Sequence, residues 1–168
     1  IKSNNFVEGF LNILNNSDAP KIIEYLEDEN KIIEMFELCN ISKDIMKYPK
    51  PMAYYYIAEG NMKIGRRKTA YQDYTKAISI LNNAKNPDIE IKAKLFRDRA
   101  WCIFEMMNAT DNFDDENVKN ALADIQESLN LNANNWLTFY YAGDLNIRLK
   151  RIDTALNQFA KAKDLCEN

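Results

Sequence analysis

The sequence predicts an all-α fold built from repeated pairs of helices, and three observations carry that prediction. Four Gly and four Pro in 168 residues leave little material for hairpins, barrels or Gly-rich phosphate loops. Apolar residues recur at helical spacing in segment after segment. One such stripe, Ala155-Leu156-x-x-Phe159-x-x-Ala162-x-x-Leu165, copies an earlier one, Ala121-Leu122-x-x-Ile125-x-x-Ser128-x-x-Leu131, at a displacement of 34 residues, the period of a stacked two-helix unit. A third copy, Ala70-Tyr71-x-x-Tyr74-x-x-Ala77-x-x-Ile80, stands upstream.

The elements follow in order. Asn4 to Leu14 reads as a short amphipathic helix with Phe6, Val7, Phe10, Leu11 and Leu14 on one stripe. The run Asn15 to Pro20 stops it and starts the next, because Ser17 or Asp18 can cap free N–H groups and Pro20 fits a first turn. Ile22, Ile23, Leu26, Ile33, Phe36 and Leu38 then mark one long helix or two short ones, with a break expected near Asp28. Ser42 caps a short helix to Lys47, and Pro49 and Pro51 end it. Residues 1–48 are therefore expected to be an N-terminal helical extension, and 49–168 the repeat domain. Six basic against nine acidic side chains leave residues 1–50 with a charge of −3; beyond them the signs balance.

In the repeat region, helix A of the first pair is expected from Met52 to Ile64 and helix B from Lys68 to Asn83. Gly65 between them is free to adopt the positive φ that ends a helix. The second pair takes Ile89 to Met107, started by Asn86-Pro87-Asp88, and Asn117 to Leu129. Its link, Asn108 to Glu116, is too long for a tight interhelical turn and is expected to be an outer, tolerant loop. The third pair takes Trp136 to Leu149 and Ile152 to Cys166, with Lys150-Arg151 as the turn. The repeats thus span about 52–85, 88–131 and 136–168. Each helix A carries a small residue midway, Ala58, Ala100 and Gly143, where a neighbouring helix can approach closely.

These stripes and small residues resemble the tetratricopeptide repeat, a helix–turn–helix unit that stacks into a right-handed solenoid. The resemblance covers about two thirds of the chain. It departs from the family at Asn61 and Asn146, where an aromatic residue is usual. It implies a protein-binding function, with a concave groove walled by the A helices. Carried over residue by residue, the wall is Met52, Tyr55, Tyr56, Glu59, Met62 and Lys63 in the first repeat. The second adds Lys94, Arg97, Asp98, Trp101, Phe104 and Glu105, and the third Leu137, Tyr140, Tyr141, Asp144, Ile147 and Arg148. Tyr, Trp and Arg are the usual energetic anchors of protein recognition. Two readings share these residues: a wall that receives an external peptide, or aromatics that fill a tight superhelix or lie under the N-terminal helices.

The family's chaperone-binding members clamp a C-terminal carboxylate with Lys, Asn and Arg. The matching positions here are Tyr55, Glu59, Asp98, Leu137 and Tyr141, none of which supplies the required donor, so an Hsp70 or Hsp90 tail is not the expected ligand.

Chemistry is otherwise sparse. With no His, the commonest general base and metal ligand is absent. The acidic run Asp111 to Glu116 lacks the alternation and central Gly of a calcium loop, and Asp114 or Asp115 serves better as a helix cap. No enzyme activity, metal or cofactor is expected. A net charge of −3 with 28% charged residues gives no excess of Lys and Arg for a phosphate backbone, so nucleic acid is not an expected partner.

Cys39, Cys102 and Cys166 are odd in number and unpaired in sequence, and are expected as reduced thiols that behave as small core residues in a cytoplasmic setting. No apolar run approaches the ~20 residues of a membrane span, and no signal peptide opens the chain. Because it begins with Ile1, the sequence is expected to be part of a longer protein. The leading expectation is a scaffold or adaptor that binds a peptide or protein segment in its groove. The alternative is the ligand- or peptide-sensing part of a larger regulator, which flanking sequence with a helix-turn-helix pattern would favour.

Overall fold

The computed structural model describes residues 51–167, and these form six α-helices: α1 (Pro51–Lys63), α2 (Arg67–Asn82), α3 (Ile89–Thr110), α4 (Asp115–Leu131), α5 (Trp136–Arg148) and α6 (Ile152–Cys166). No strand occurs among the described residues, and the all-α expectation holds. The helices expected before residue 50, and Cys39 with them, lie outside the described residues. Consecutive helices pair: α1 with α2, α3 with α4, α5 with α6. The described residues divide into two units, one ending at Ala84 and the other beginning at Lys85.

In the first unit, Ala58 on α1 and Ala70 and Ala77 on α2 are buried without remainder, as the small-residue argument requires. Asn61, the departure from the family pattern, is also fully buried. Its amide donates to Asp73 Oδ2 at 3.0 Å, so a polar bridge from α1 to α2 stands where the family packs a ring. A buried polar pair is tolerated only when bonded in this way. The Tyr55 and Tyr74 rings lie 6.2 Å apart, and the Tyr74 hydroxyl donates to Glu59.

In the second unit, Ala100 of α3, Ile125 of α4 and Ala142 of α5 form one buried cluster, with Leu129 and Tyr141 packed against it. Two polar links tie the same helices. Arg99 on α3 donates twice to Asp124 on α4, at 2.7 and 2.7 Å. Ser128 on α4 and Thr138 on α5 share a buried hydroxyl contact at 3.3 Å. Gly143 admits the Phe159 ring so closely that an added Cβ would stand 2.4 Å from it, which fixes how α5 meets α6.

All three A helices end in the same hydrogen-bonded turn. The N–H of Arg66 donates to Asn61 O, that of Asn112 to Met107 O and that of Arg151 to Asn146 O, each closing the wide ring of a Schellman motif. The residue before each donor has positive φ: Gly65 at 76°, Asp111 at 48° and Lys150 at 58°. Gly65 fulfils its expected role. Asp111 and Lys150 adopt the same geometry with a Cβ, at a cost of about 1 kcal/mol each.

One expectation is corrected. The extra residues of the second pair do not make a long loop, because α3 runs on to Thr110 and α4 begins at Asp115, leaving only Asp111 to Asp114 between them. Helix satisfies backbone groups that a loop would leave to water. Asp114 caps α4, accepting from the Asn117 backbone at 2.8 Å and from the Asn117 side-chain amide at 2.6 Å, and those bonds hold its carboxyl below the ordinary value. Asp88 caps α3 from Ile91 N at 3.0 Å, as the Asn86-Pro87-Asp88 signal implied.

The cysteines also part company: Cys102 is buried, as expected, while Cys166 is exposed. Cys166 sits on the last turn of α6, where Ala162, one turn earlier, is the last fully buried position.

Candidate functional site

The residues that the sequence placed on one wall of the second unit come from α3 and α5. Helical spacing puts Trp101 and Phe104 one turn apart on α3, and their rings lie 4.9 Å apart. Asn135 fixes the start of α5 by accepting from the N–H groups of Leu137 and Thr138. That register brings Tyr141 over Trp101, the two rings stacked at 4.4 Å with an 18° interplanar angle.

The contacts continue in both directions. Phe113, from the turn before α4, meets Phe104 edge-on at 6.5 Å. On the other side Tyr140 stands 6.2 Å from Tyr141 and 5.7 Å from Phe159 of α6. Six aromatic rings from four segments thus form one continuous series. Phe104 is buried and supports it from behind, Trp101 and Tyr141 are half-buried, and Tyr140 is exposed. Ala100, Trp101, Phe104, Ile125, Tyr141 and Leu145 line a crevice that leaves no room for a water molecule, so any ligand would lie across these rings and not between them.

The charged members behave differently. Arg97 donates to the carboxylate of adjacent Asp98 at 2.7 and 2.9 Å, and both side chains are buried. Lys94 and Arg148 are exposed, and Asp144 is half-buried. Burial raises the Asp144 carboxyl above its ordinary value, while the positive charge of Arg148 opposes that shift.

Of the first-unit positions, Tyr55 is buried against Tyr74 and Glu59 accepts the Tyr74 hydroxyl. The side chains of Met52 and Tyr56 lie outside those described. Phe113 and Phe159 were not among the expected wall residues. Phe159 was visible as the large apolar member of the repeated stripe, whereas Phe113 sits in an acidic turn with no periodic signal.

No cluster of three or more acidic, Cys or His side chains able to hold a metal occurs among the described residues. None of the described helices is long and apolar enough to cross a membrane.

No protein-family model matches the sequence, and no curated protein does. Solved structures do. A crystal structure of MamA superposes with a TM-score of 0.62 at 12% identity, over 96% of this chain and 86% of that one. A second MamA crystal structure gives a TM-score of 0.60 at 12% identity, over 99% of this chain and 86% of that one. At such identity the likeness shows the fold: an all-helical repeat architecture.

Proposed function

We propose that the chain is a non-enzymatic protein–protein interaction scaffold whose three helix pairs are tetratricopeptide-like repeats, with residues 1–48 as an appended extension and the cytoplasm as its setting. It binds a peptide or protein segment across the rings of α3 and α5. The observation that carries this reading is the ring series itself: Trp101 and Tyr141 stack on one another yet remain half-exposed, beside an exposed Tyr140. Rigid aromatic surface of this kind supplies recognition energy at little entropic cost. The buried Arg97–Asp98 pair supports a ligand other than a chaperone tail, since an acid stands where that clamp needs a donor.

The test is affinity capture with the intact chain beside Trp101→Ala, Tyr141→Ala and a distant Lys85→Ala control, each checked for helicity by circular dichroism. Loss of an anchor costs about 2 kcal/mol, or roughly thirtyfold in affinity. The two ring variants should lose their captured partner while remaining helical, and Lys85→Ala should retain it. Capture that survives both ring substitutions, or variants that unfold, would assign the rings to packing.

A further inference from the structure

The ring series of α3 and α5 runs into an acidic turn. Phe113, whose ring meets Phe104, sits between Asp111 and Asp114 in the link from α3 to α4, and Asp115 and Glu116 follow at once. Asp111, Asp115 and Glu116 are exposed, and no Lys or Arg occurs from Ala100 to Glu116. On α5, Asp144 stands three residues after Tyr141, one helical turn along the face that carries that ring. It is half-buried, which raises its carboxyl above the ordinary value, and the charge of exposed Arg148 opposes the rise. The bases on α3 nearest the rings are Arg97, held by Asp98, and Lys94, two turns from Trp101. Half-exposed rings are thus flanked by carboxylates, and both attract cations.

We infer that the segment these rings take is basic: an arginine-containing peptide of a partner protein, whose guanidinium groups lie on Trp101 and Tyr141 and pair with Asp144 and the acids around Phe113. The inference rests on the rings being a recognition surface and names the chemistry of what they recognise. Guanidinium suits both parts of that surface. It is planar and weakly hydrated, it stacks on aromatic rings, and it offers parallel N–H donors to a carboxylate. The Lys ammonium is compact and strongly hydrated, and fits less well. The crevice between the rings admits no water, and a flat group lying across them needs none of that space. Asp144 has already lost part of its hydration, so a cation that reaches it meets a stronger field than at an acid in open water. Charge also selects against two other occupants. Residues 1–50 carry −3 and a second copy of the chain carries −3, and like charges brought together at an interface are repelled.

The probe is a random dodecapeptide library displayed on phage and selected on the intact protein, with the Trp101→Ala protein and an Asp115→Asn, Asp144→Asn double variant in parallel, each checked for helicity by circular dichroism. On the parent, Arg should be enriched about threefold over the input, Lys less, and Asp and Glu depleted. A fluorescein-labelled peptide of the most enriched sequence, followed by anisotropy, should lose about tenfold in affinity when its Arg residues become Gln. It should also bind the double variant several-fold more weakly, and Lys85→Ala as tightly as the parent. Peptides that depend on Trp101 but show no excess of Arg would overturn the basic partner and leave the recognition surface standing. If no peptide is enriched on the parent over Trp101→Ala, both readings fall. Arg-rich peptides that bind the double variant as tightly as the parent would also overturn the inference, because their attraction would then lie elsewhere on the chain.

Discussion

Removing the Arg99 guanidinium should be among the most damaging single changes in the second unit. Asp124 is nearly fully buried, and both its oxygens accept from Arg99, at 2.7 and 2.7 Å. Arg99→Leu keeps apolar bulk beside Phe96, over whose ring the guanidinium sits at 5.5 Å, but strands a carboxylate between α3 and α4. Breaking a buried pair from one side costs about 3–5 kcal/mol. In a chain of this size that lowers Tm by roughly 10 °C.

The loss must also depend on pH. Burial already raises the Asp124 carboxyl above its ordinary value, with Arg99 opposing the shift. The folded protein therefore holds that proton to higher pH than the unfolded chain does. The stability tied to Asp124 falls as pH climbs from the unfolded carboxylate value through the raised folded one. Without Arg99 the folded value climbs further. The gap between parent and variant is consequently widest at neutral pH and narrows as acid protonates Asp124. Urea melts of both proteins at several pH values between neutral and acid measure this directly. The double variant Arg99→Leu, Asp124→Leu should recover most of the loss, because it leaves no charge behind. A loss under about 1 kcal/mol, or one independent of pH, would refute the reasoning.

Three further outcomes follow. Gly143→Ala places a Cβ 2.4 Å from Phe159 Cε1, so it should destabilise by about 1 kcal/mol after the helix-propensity gain, and should turn stabilising in a Phe159→Ala background, both read from urea midpoints. Lys150→Gly relieves a φ of 58° and should raise stability by at most about 1 kcal/mol, since Gly also frees the unfolded chain; a measured loss would count against the strained turn. In a Cys39→Ser background a thiol reagent should modify Cys166 at once and Cys102 only as the protein unfolds; two fast thiols, or none, would contradict the observed burial.

Much of the fold was legible before any coordinate. The stripes led by Ala70, Ala121 and Ala155 are local statements, and helices form from local spacing, so α2, α4 and α6 stand within a few residues of their expected bounds. Gly65 and Asp88 carried their turn and cap signals for the same reason. Trp101, Phe104, Tyr140 and Tyr141 could be assigned to A helices, because a repeat converts one-dimensional period into one shared face.

What only the tertiary structure decided lies between elements. Asn61 and Asn146 look like defects in a pattern. Asn61 instead bonds across to Asp73 of α2, twelve residues on, whereas Asn146 is satisfied within its own helix, by the Ala142 carbonyl at 2.8 Å. Arg99 and Asp124 are 25 residues apart in sequence and gave no periodic sign of their pairing. The link after Met107 read as a loop by its polarity, yet most of it is helix, because backbone hydrogen bonding outweighs side-chain composition on an exposed turn. The same stripe lies buried on α4 and bare on α6 for one reason: α5 covers the first, and among the described residues nothing covers the second. Sequence writes each helix and the face it must bury; which partner buries that face is settled only where helices meet.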